Sequence, residues 1–313
     1  MTKIAIIGSG LIGRAWATVF AGAGFEVVLY DPVAGQAPAA RRFVAAQLKA
    51  LAALDLAESP RTAMARVTIA ATLADALDGA ALAQENGPER VEDKRALYAE
   101  MDRLARKTTI LASSTSYIPA SAFTEGLPGA SRCLVAHPVN PPHLVPIVEL
   151  APAPWTDPKV VERARRIYEK AGQTPILLRK EVAGFVLNRL QAALLAEAFR
   201  IVGAGVCSPQ DVDKTIKDGL GLRWSFMGPF ETIELNAPGG IADYCARYGA
   251  SLTNMATDVI HPDPFSPGTV DTIMAEWPGA QTAERIAKLS VWRDGRLTAL
   301  KAHKRSAARK PKV

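Results

Sequence analysis

The chain has 313 residues, of which 49% are hydrophobic and 22% charged, and this composition excludes wholesale disorder. Its formal net charge is +6, but seven Lys and Arg and no acidic residue lie within residues 295–313, and the remainder carries 30 basic and 31 acidic residues. We therefore predict no nucleic-acid partner and a solvated basic tail, with an anionic partner of the tail as the alternative.

The first half of the chain alternates predicted strands and helices. Helices are expected between most of the strands, beginning with residues 11–24, and the strands are predicted at residues 3–8, 25–31, 67–70, 80–84, 109–113 and 133–136. Alternation of this kind is typical of α/β proteins, with a parallel sheet covered by helices on both faces.

The pattern changes after Glu149. A helix at residues 157–171 and a strand at 174–178 follow, and beyond residue 182 strand signals are scarce. Residues 182–202 carry apolar side chains at helical spacing, which predicts a long helix. We predict an N-terminal Rossmann-type domain over residues 1–182 and a smaller all-helical domain over residues 183–313, which includes the basic tail.

A glycine-rich loop follows the first predicted strand. Gly8, Gly10 and Gly13 form the pattern G-x-G-x-x-G between a strand and a helix, and a second strand ends in Asp31. In this context the pattern predicts a dinucleotide site, in which backbone N–H groups near Leu11 and Ile12 hold the pyrophosphate. An acidic residue after the second strand suits the ribose hydroxyls of NAD and repels the 2′-phosphate of NADP, so we predict NAD. FAD, or a glycine turn without a ligand, is the alternative.

A histidine and a glutamate lie twelve residues apart around a proline-rich turn. His137 ends one apolar run, and Glu149 follows another, Ile147 and Val148. Two short strands paired across the turn would place the imidazole beside the carboxylate, the arrangement that a general base needs. The pair predicts proton transfer, and together with the dinucleotide site it predicts oxidation of an alcohol.

These features resemble the 3-hydroxyacyl-CoA dehydrogenase superfamily, and more closely its lambda-crystallin branch, whose enzyme member is L-gulonate 3-dehydrogenase. The segments that carry the resemblance are residues 113–116, 135–142, 180–191, 219–229 and 235–237. The resemblance implies four catalytic residues, of which His137 is the base, Glu149 its partner, and Ser116 and Asn188 hold the substrate oxygen. It also implies cofactor contacts from Glu89, Lys94 and Asn140.

The substrate is predicted from a departure within the resemblance. Acyl-CoA members carry two aromatic residues after the histidine, where this chain has Pro138 and Val139. We expect a polar free 3-hydroxy acid such as L-gulonate, with Arg223 pairing its carboxylate. A 3-hydroxyacyl-CoA thioester and L-carnitine are the alternative substrates, and a crystallin-like structural or NAD-sensing protein is the non-catalytic alternative.

Three further expectations concern assembly, metals and location. Cysteines at positions 133, 207 and 245 and four scattered histidines predict neither a disulfide framework nor a metal site. No apolar stretch approaches the ~20 residues of a membrane span, and we predict a cytoplasmic protein. The small size of the helical domain and its long apolar helix predict a homodimer.

Overall fold

The computed structural model describes residues 1–258, 260, 263–279 and 282–307. Two compact units divide the chain. The first comprises Met1–Leu187 together with the C-terminal segment from Ala283, and the second is Asn188–Thr282. Each is described separately below.

The first unit is built on an eight-stranded sheet. Its strands are β1 (Lys3–Ile7), β2 (Glu26–Tyr30), β3 (Val67–Ile69), β4 (Leu82–Glu85), β5 (Ile110–Ser113), β6 (Cys133–Pro138), β7 (Ile147–Pro152) and β8 (Thr174–Leu177). Their spatial order is β3-β2-β1-β4-β5-β6-β7-β8. Strands β1–β6 are parallel, whereas β7 pairs antiparallel with β6 and parallel with β8. This reversal brings the start of β7 back to the end of β6.

Helices of the first unit follow most of these strands. They are α1 (Leu11–Gly22), α2 (Gln36–Ala52), α3 (Pro60–Met64), α4 (Leu73–Leu77), α5 (Val91–Leu104), α6 (Ser121–Thr124) and α7 (Pro158–Lys170), and α14 (Ala283–Ala307) belongs to the same unit. The predicted α/β class with a predominantly parallel sheet is confirmed.

Alternate residues of the strands belong to two separate hydrophobic clusters, because successive side chains of a β-strand point to opposite faces of the sheet. Ile4 and Ile6 point into one cluster, where Trp16 and Phe20 of α1 meet Tyr168 of α7. Ala5 and Ile7 point into the other, which Tyr98 of α5 shares with Phe123 of α6. The sheet therefore has a buried core on each face.

The second unit is helical. Its α-helices are α8 (Leu187–Gly203, whose first residue is the last of unit one), α9 (Pro209–Lys214), α10 (Gly221–Trp224), α11 (Pro229–Glu234), α12 (Gly240–Thr257) and α13 (Pro267–Glu276). A six-residue π-helical segment, Thr215–Leu220, joins α9 to α10. No described helix of the chain has both the length and the apolar character that crossing a membrane requires.

The structure differs from the predicted domain division at the C-terminus. We assigned residues 183–313 to the helical domain, but α14 packs on the first unit. Lys301 donates to the carbonyl of His143 at 2.7 Å, and Arg305 donates to the carbonyl of Asp55. The part of the basic tail up to residue 307 is thus helical, and the rest of the predicted tail, residues 308–313, lies outside the described residues.

Candidate active site

The glycine loop turns sharply between β1 and α1. Gly8 has φ +86°, and a Cβ on it would lie 2.9 Å from the carbonyl oxygen of Asn86. A Cβ on Gly13 would overlap the carbonyl oxygen of Gly8, whereas a Cβ on Gly10 would meet nothing within 4 Å. Gly8 and Gly13 thus allow the tight turn and the close packing of the helix, and Gly10 leaves the open approach that a pyrophosphate needs.

A cavity of about 550 Å³ opens beside this loop. Gly10, Tyr30, Asp31, Val33 and Asn86 are among the residues that line it. The volume lies in the range of small-molecule and cofactor sites. Leu11, at the start of α1, is exposed and Ile12 is half-buried, so the helix N-terminus remains accessible to a phosphate.

The Asp31 carboxylate lies next to the glycine loop. It accepts hydrogen bonds from the backbone N–H of Ser9 at 2.6 Å and of Val33 at 2.9 Å. These bonds hold a negative charge in the cavity, which would accept from ribose hydroxyls and repel an additional phosphate. The residues present fit NAD.

The predicted His137–Glu149 pair is formed. β6 and β7 place the two residues directly opposite each other, and His137 Nδ1 lies 2.7 Å from Glu149 Oε2. His137 is 5% exposed and Glu149 is fully buried. Because an ionised carboxylate only accepts, Nδ1 donates to Glu149, and in a neutral ring the lone pair is then on Nε2.

The other oxygen of Glu149 is held by the backbone. Oε1 accepts from the N–H groups of Val186 at 2.8 Å and Leu187 at 2.9 Å. Burial alone raises the pKa of Glu149, but the bonds from His137, Leu187 and Val186 outweigh burial, and the pKa lies below its ordinary value. The carboxylate therefore stays charged and fixed in orientation beside the imidazole.

The backbone before α8 explains how two N–H groups reach one carboxylate. The sequence predicted a helix from residue 182, but the helix begins at Leu187 because Gly184 and Phe185 adopt positive φ angles of 74° and 52°. A left-handed phenylalanine is strained. Phe185 is fully buried, and its ring centroid lies 5.3 Å from that of His137, so packing against the His137 imidazole maintains this turn.

Ser116 lies in the loop after β5, the strand next to β6. Ser113 pairs with Val135, so this loop and His137 leave the same edge of the sheet. Glu89 anchors the loop, since its Oε1 accepts from the N–H of Ser116 at 2.9 Å, the N–H of Tyr117 and the hydroxyl of Thr115. The structure thus gives Glu89 a supporting contact that the sequence did not predict.

Lys94, a predicted cofactor contact, is buried in an ion pair. Its ammonium lies 2.9 Å from both carboxylate oxygens of Glu85, which also accepts from the Ser113 hydroxyl and the N–H of Gly87. Sequence analysis missed Glu85. The sequence feature that could have revealed it is a polar residue at the end of a buried parallel strand, the position at which α/β proteins place their ligand sites.

A buried polar network also escaped sequence analysis. Asn86 Nδ2 donates to the carbonyl of Gly8 at 3.3 Å, and its Oδ1 accepts from Ser114 Oγ at 2.8 Å. Ser114 Oγ in turn accepts from Gln84 and from the indole of Trp16. The network ties the glycine loop to β5 and so makes the cofactor side of the site rigid.

The remaining predicted residues lie as follows. Asn140 is exposed in the turn between β6 and β7, and its peptide bond to Pro141 is cis. Asn188 is half-buried and is the first residue of the second unit, and Arg223 is exposed on α10 of that unit. The roles of Asn140, Asn188 and Arg223 stay predictions.

Two family models match the chain. The model of the 3-hydroxyacyl-CoA dehydrogenase NAD binding domain matches residues 3–182, and the model of the 3-hydroxyacyl-CoA dehydrogenase C-terminal domain matches residues 184–261. The first model matches nearly all of the predicted N-terminal region, and the second matches the predicted C-terminal region up to residue 261.

Similar proteins match over nearly the whole chain. A lambda-crystallin homolog of Bos taurus is 41% identical over 95% of this chain and 94% of its own length. An L-carnitine dehydrogenase of Streptomyces griseus is 37% identical over 93% of this chain and 87% of its own. The solved structure of 5-formyl-3-hydroxy-2-methylpyridine 4-carboxylic acid 5-dehydrogenase, described as an NAD⁺-dependent dismutase, has a TM-score of 0.82 and 29% identity and covers 96% of this chain and 98% of that one.

Proposed function

The chain belongs to the 3-hydroxyacyl-CoA dehydrogenase family, and we propose that it oxidises the 3-hydroxyl of a polar free acid such as L-gulonate. It is an NAD-dependent oxidoreductase that acts on CH–OH groups. The observation that carries the proposed alcohol oxidation is the 2.7 Å bond between His137 and Glu149. The pair lies at the same edge of the sheet as the glycine loop.

His137 acts as the general base in the proposed mechanism. Its Nε2 accepts the proton of the substrate hydroxyl. The glycine loop and Asp31 would hold NAD, which when bound would supply the acceptor for the hydride from C3. Glu149 stabilises the positive charge that develops on the imidazole and keeps the proton of Nδ1 in place. The N–H groups of Val186 and Leu187 prevent the carboxylate from turning away.

Ser116 and Asn188 complete the proposed catalytic set. Each would donate a hydrogen bond to the substrate oxygen as charge develops on it. Glu89 supports Ser116 by fixing the backbone of its loop. Alongside these roles, we propose Glu89, Lys94 and Asn140 as neighbours of the nicotinamide end of NAD, with Lys94 acting through its ion pair with Glu85.

A free acid is favoured over a CoA thioester by two observations. Pro138 and Val139 replace the aromatic residues that acyl-CoA members carry after the histidine. L-carnitine, for which one relative is named, is itself a free 3-hydroxy acid. We propose that Arg223, a guanidinium suited to a carboxylate fork, binds the acid group.

A substrate panel tests the proposed substrate class. NADH formation is measured with L-gulonate, 3-hydroxybutyrate, L-carnitine and 3-hydroxybutyryl-CoA at equal concentrations. We expect the highest kcat/KM with a free acid, and we expect Arg223→Lys to raise its KM because the lysine loses the bidentate geometry. Turnover of the thioester alone would overturn the free-acid assignment, and an unchanged KM would remove Arg223 from carboxylate binding.

We also propose that the protein is a homodimer formed through the helical unit. Of the seventeen residues of α8, Val202 alone is buried, and Leu190, Phe226 and Phe230 are 64%, 71% and 72% exposed in the single chain. Apolar side chains exposed in such number mark an interface. Sedimentation at micromolar concentration is expected to give twice the mass of one chain, and a monomer would contradict the proposal.

The proposed location is the cytoplasm. Its support is that Cys133, Cys207 and Cys245 are all free thiols, as a reducing compartment requires.

A further inference from the structure

A second cavity, of about 290 Å³, lies within the first unit. Its described lining residues include Thr18 of α1, Leu56 after α2, His143 before β7, Lys170 and Gln173 around the end of α7, and Lys301 of α14. It shares none of its described lining residues with the cofactor cavity beside the glycine loop. We refer to it as the His143 cavity.

Two buried side chains that line the His143 cavity carry polar atoms without a hydrogen-bond partner. His143 is 3% exposed and Gln173 is 7% exposed. Within the described part of the chain, the two ring nitrogens of His143 and Oε1 of Gln173 have no hydrogen-bond partner. Buried polar groups are nearly always paired, so these atoms point to a ligand with both donors and acceptors.

The charges around the cavity are positive. Lys170 and Lys301 both line it, and none of its described lining residues is acidic. Lys301 uses one N–H for the carbonyl of His143 at 2.7 Å, which leaves two for a ligand. Nearby, the Arg14 guanidinium lies 4.3 Å from the ring centroid of Phe43, whose ring packs edge-on against His143.

The protonation states of His143 and Lys301 further restrict the kind of ligand that the cavity can bind. Burial, opposed by Asp294 and assisted by Lys301, Arg14 and Arg293, lowers the pKa of His143 to about 4. Its ring is therefore neutral near pH 7 and offers one donor and one acceptor. Burial also lowers the pKa of Lys301, and the nearby Asp294 is held by Arg293.

We propose that the His143 cavity binds a small oxyanion that carries a hydroxyl group, either a phosphate or a hydroxycarboxylate. The anionic oxygens accept from Lys301, Lys170 and the imidazole N–H. The hydroxyl donates to Oε1 of Gln173, which is otherwise an unpaired acceptor. A simple halide would leave that acceptor unsatisfied, and a cation would meet two lysines.

The site is placed to hold the turn that separates the catalytic pair. His143 lies within residues 139–146, which join His137 to Glu149. Lys301 already bonds the carbonyl of His143, and Gln173 Nε2 lies 3.5 Å from that of Pro142. A bound oxyanion would therefore contact the same side chains that hold this turn in place.

The test follows imidazole signals of the full-length protein during titration with inorganic phosphate, with sodium chloride at equal ionic strength as the control. The chain has four histidines, and His143→Gln identifies the signal of interest. We expect that signal to shift and saturate with phosphate and to stay unchanged with chloride. A second titration with L-lactate, whose hydroxyl is at C2, tests the carboxylate source: saturation with either probe supports the proposal and identifies that source.

Variants assign the binding to the cavity. Lys301→Met is expected to weaken binding roughly tenfold or more, since a charged donor is lost, whereas Lys304→Met, exposed on the same helix, leaves it unchanged. Gln173→Leu is also expected to reduce the affinity, and it serves as the test if Lys301→Met does not fold. A His143 signal that responds to neither probe, or binding that is equal in all variants, would overturn the proposal. Turnover is not measured, so this outcome is independent of the proposed function.

Discussion

Replacing His137 with glutamine is expected to lower kcat by about 10²–10⁴, the usual contribution of a positioned general base. Glutamine retains a polar side chain of similar size but takes no proton at neutral pH. NAD binding should persist, because the glycine loop and Asp31 do not contact His137 in the hydrogen-bond network described above. Steady-state kinetics with the best substrate of the panel, together with the NAD dissociation constant, measures both effects.

His303→Gln provides the matched control, since His303 is exposed on α14. It should retain the wild-type kcat. The His137 variant should also regain activity in part as pH rises, because hydroxide then removes the proton without the base. Equal kcat values for the wild type and the His137 variant would remove His137 from the chemistry.

Replacing Glu149 with glutamine is expected to reduce kcat by a similar factor, about 10²–10⁴, through the tautomer of His137. If the amide oxygen keeps the N–H groups of Val186 and Leu187, the amide NH₂ faces Nδ1. Nδ1 must then accept, and the ring proton moves to Nε2, where it blocks the uptake of a second proton. Kinetic measurements should show a loss in kcat with little change in KM.

The same substitution should also lower the thermal stability of the protein at neutral pH, since a buried charged acceptor is lost, at a cost of about 1–3 kcal/mol. The pKa of Glu149 is depressed in the folded protein. The ionised carboxylate therefore contributes fully to the free energy of unfolding above the ordinary carboxyl pKa. That contribution disappears as pH falls through the lowered value. The difference in Tm between wild type and Glu149→Gln should therefore shrink in acid. Glu125→Gln, an exposed exchange, should show neither effect.

Sequence patterns predicted the parts of the site that depend on local structure. The glycine loop and Asp31 follow strands that are mostly apolar, a signal for a parallel sheet. His137 and Glu149 each follow an apolar run on either side of a proline-rich turn, and pairing of two such strands fixes their register. These features need only short-range information.

The contacts that fix the pair depend on tertiary structure and were not predictable. Phe185 adopts a positive φ because it packs on His137, and no helical propensity of residues 182–202 encodes that turn. The ion pair of Lys94 with Glu85 is buried by β5, through Ser113. The docking of α14 on the first unit was also missed, because the apolar residues of this helix are spread around its circumference and form no stripe that would mark a packing face.

The central claim, hydride transfer from C3 of a free acid with His137 as the base, is tested most directly with the best substrate of the panel deuterated at C3. The NADH formed is analysed by mass spectrometry for deuterium. We predict one deuterium in each NADH and a lower kcat/KM than with the unlabelled substrate, with both the labelled and the unlabelled reaction greatly slowed in His137→Gln. NADH without deuterium would contradict the account, because the hydride would then come from another position.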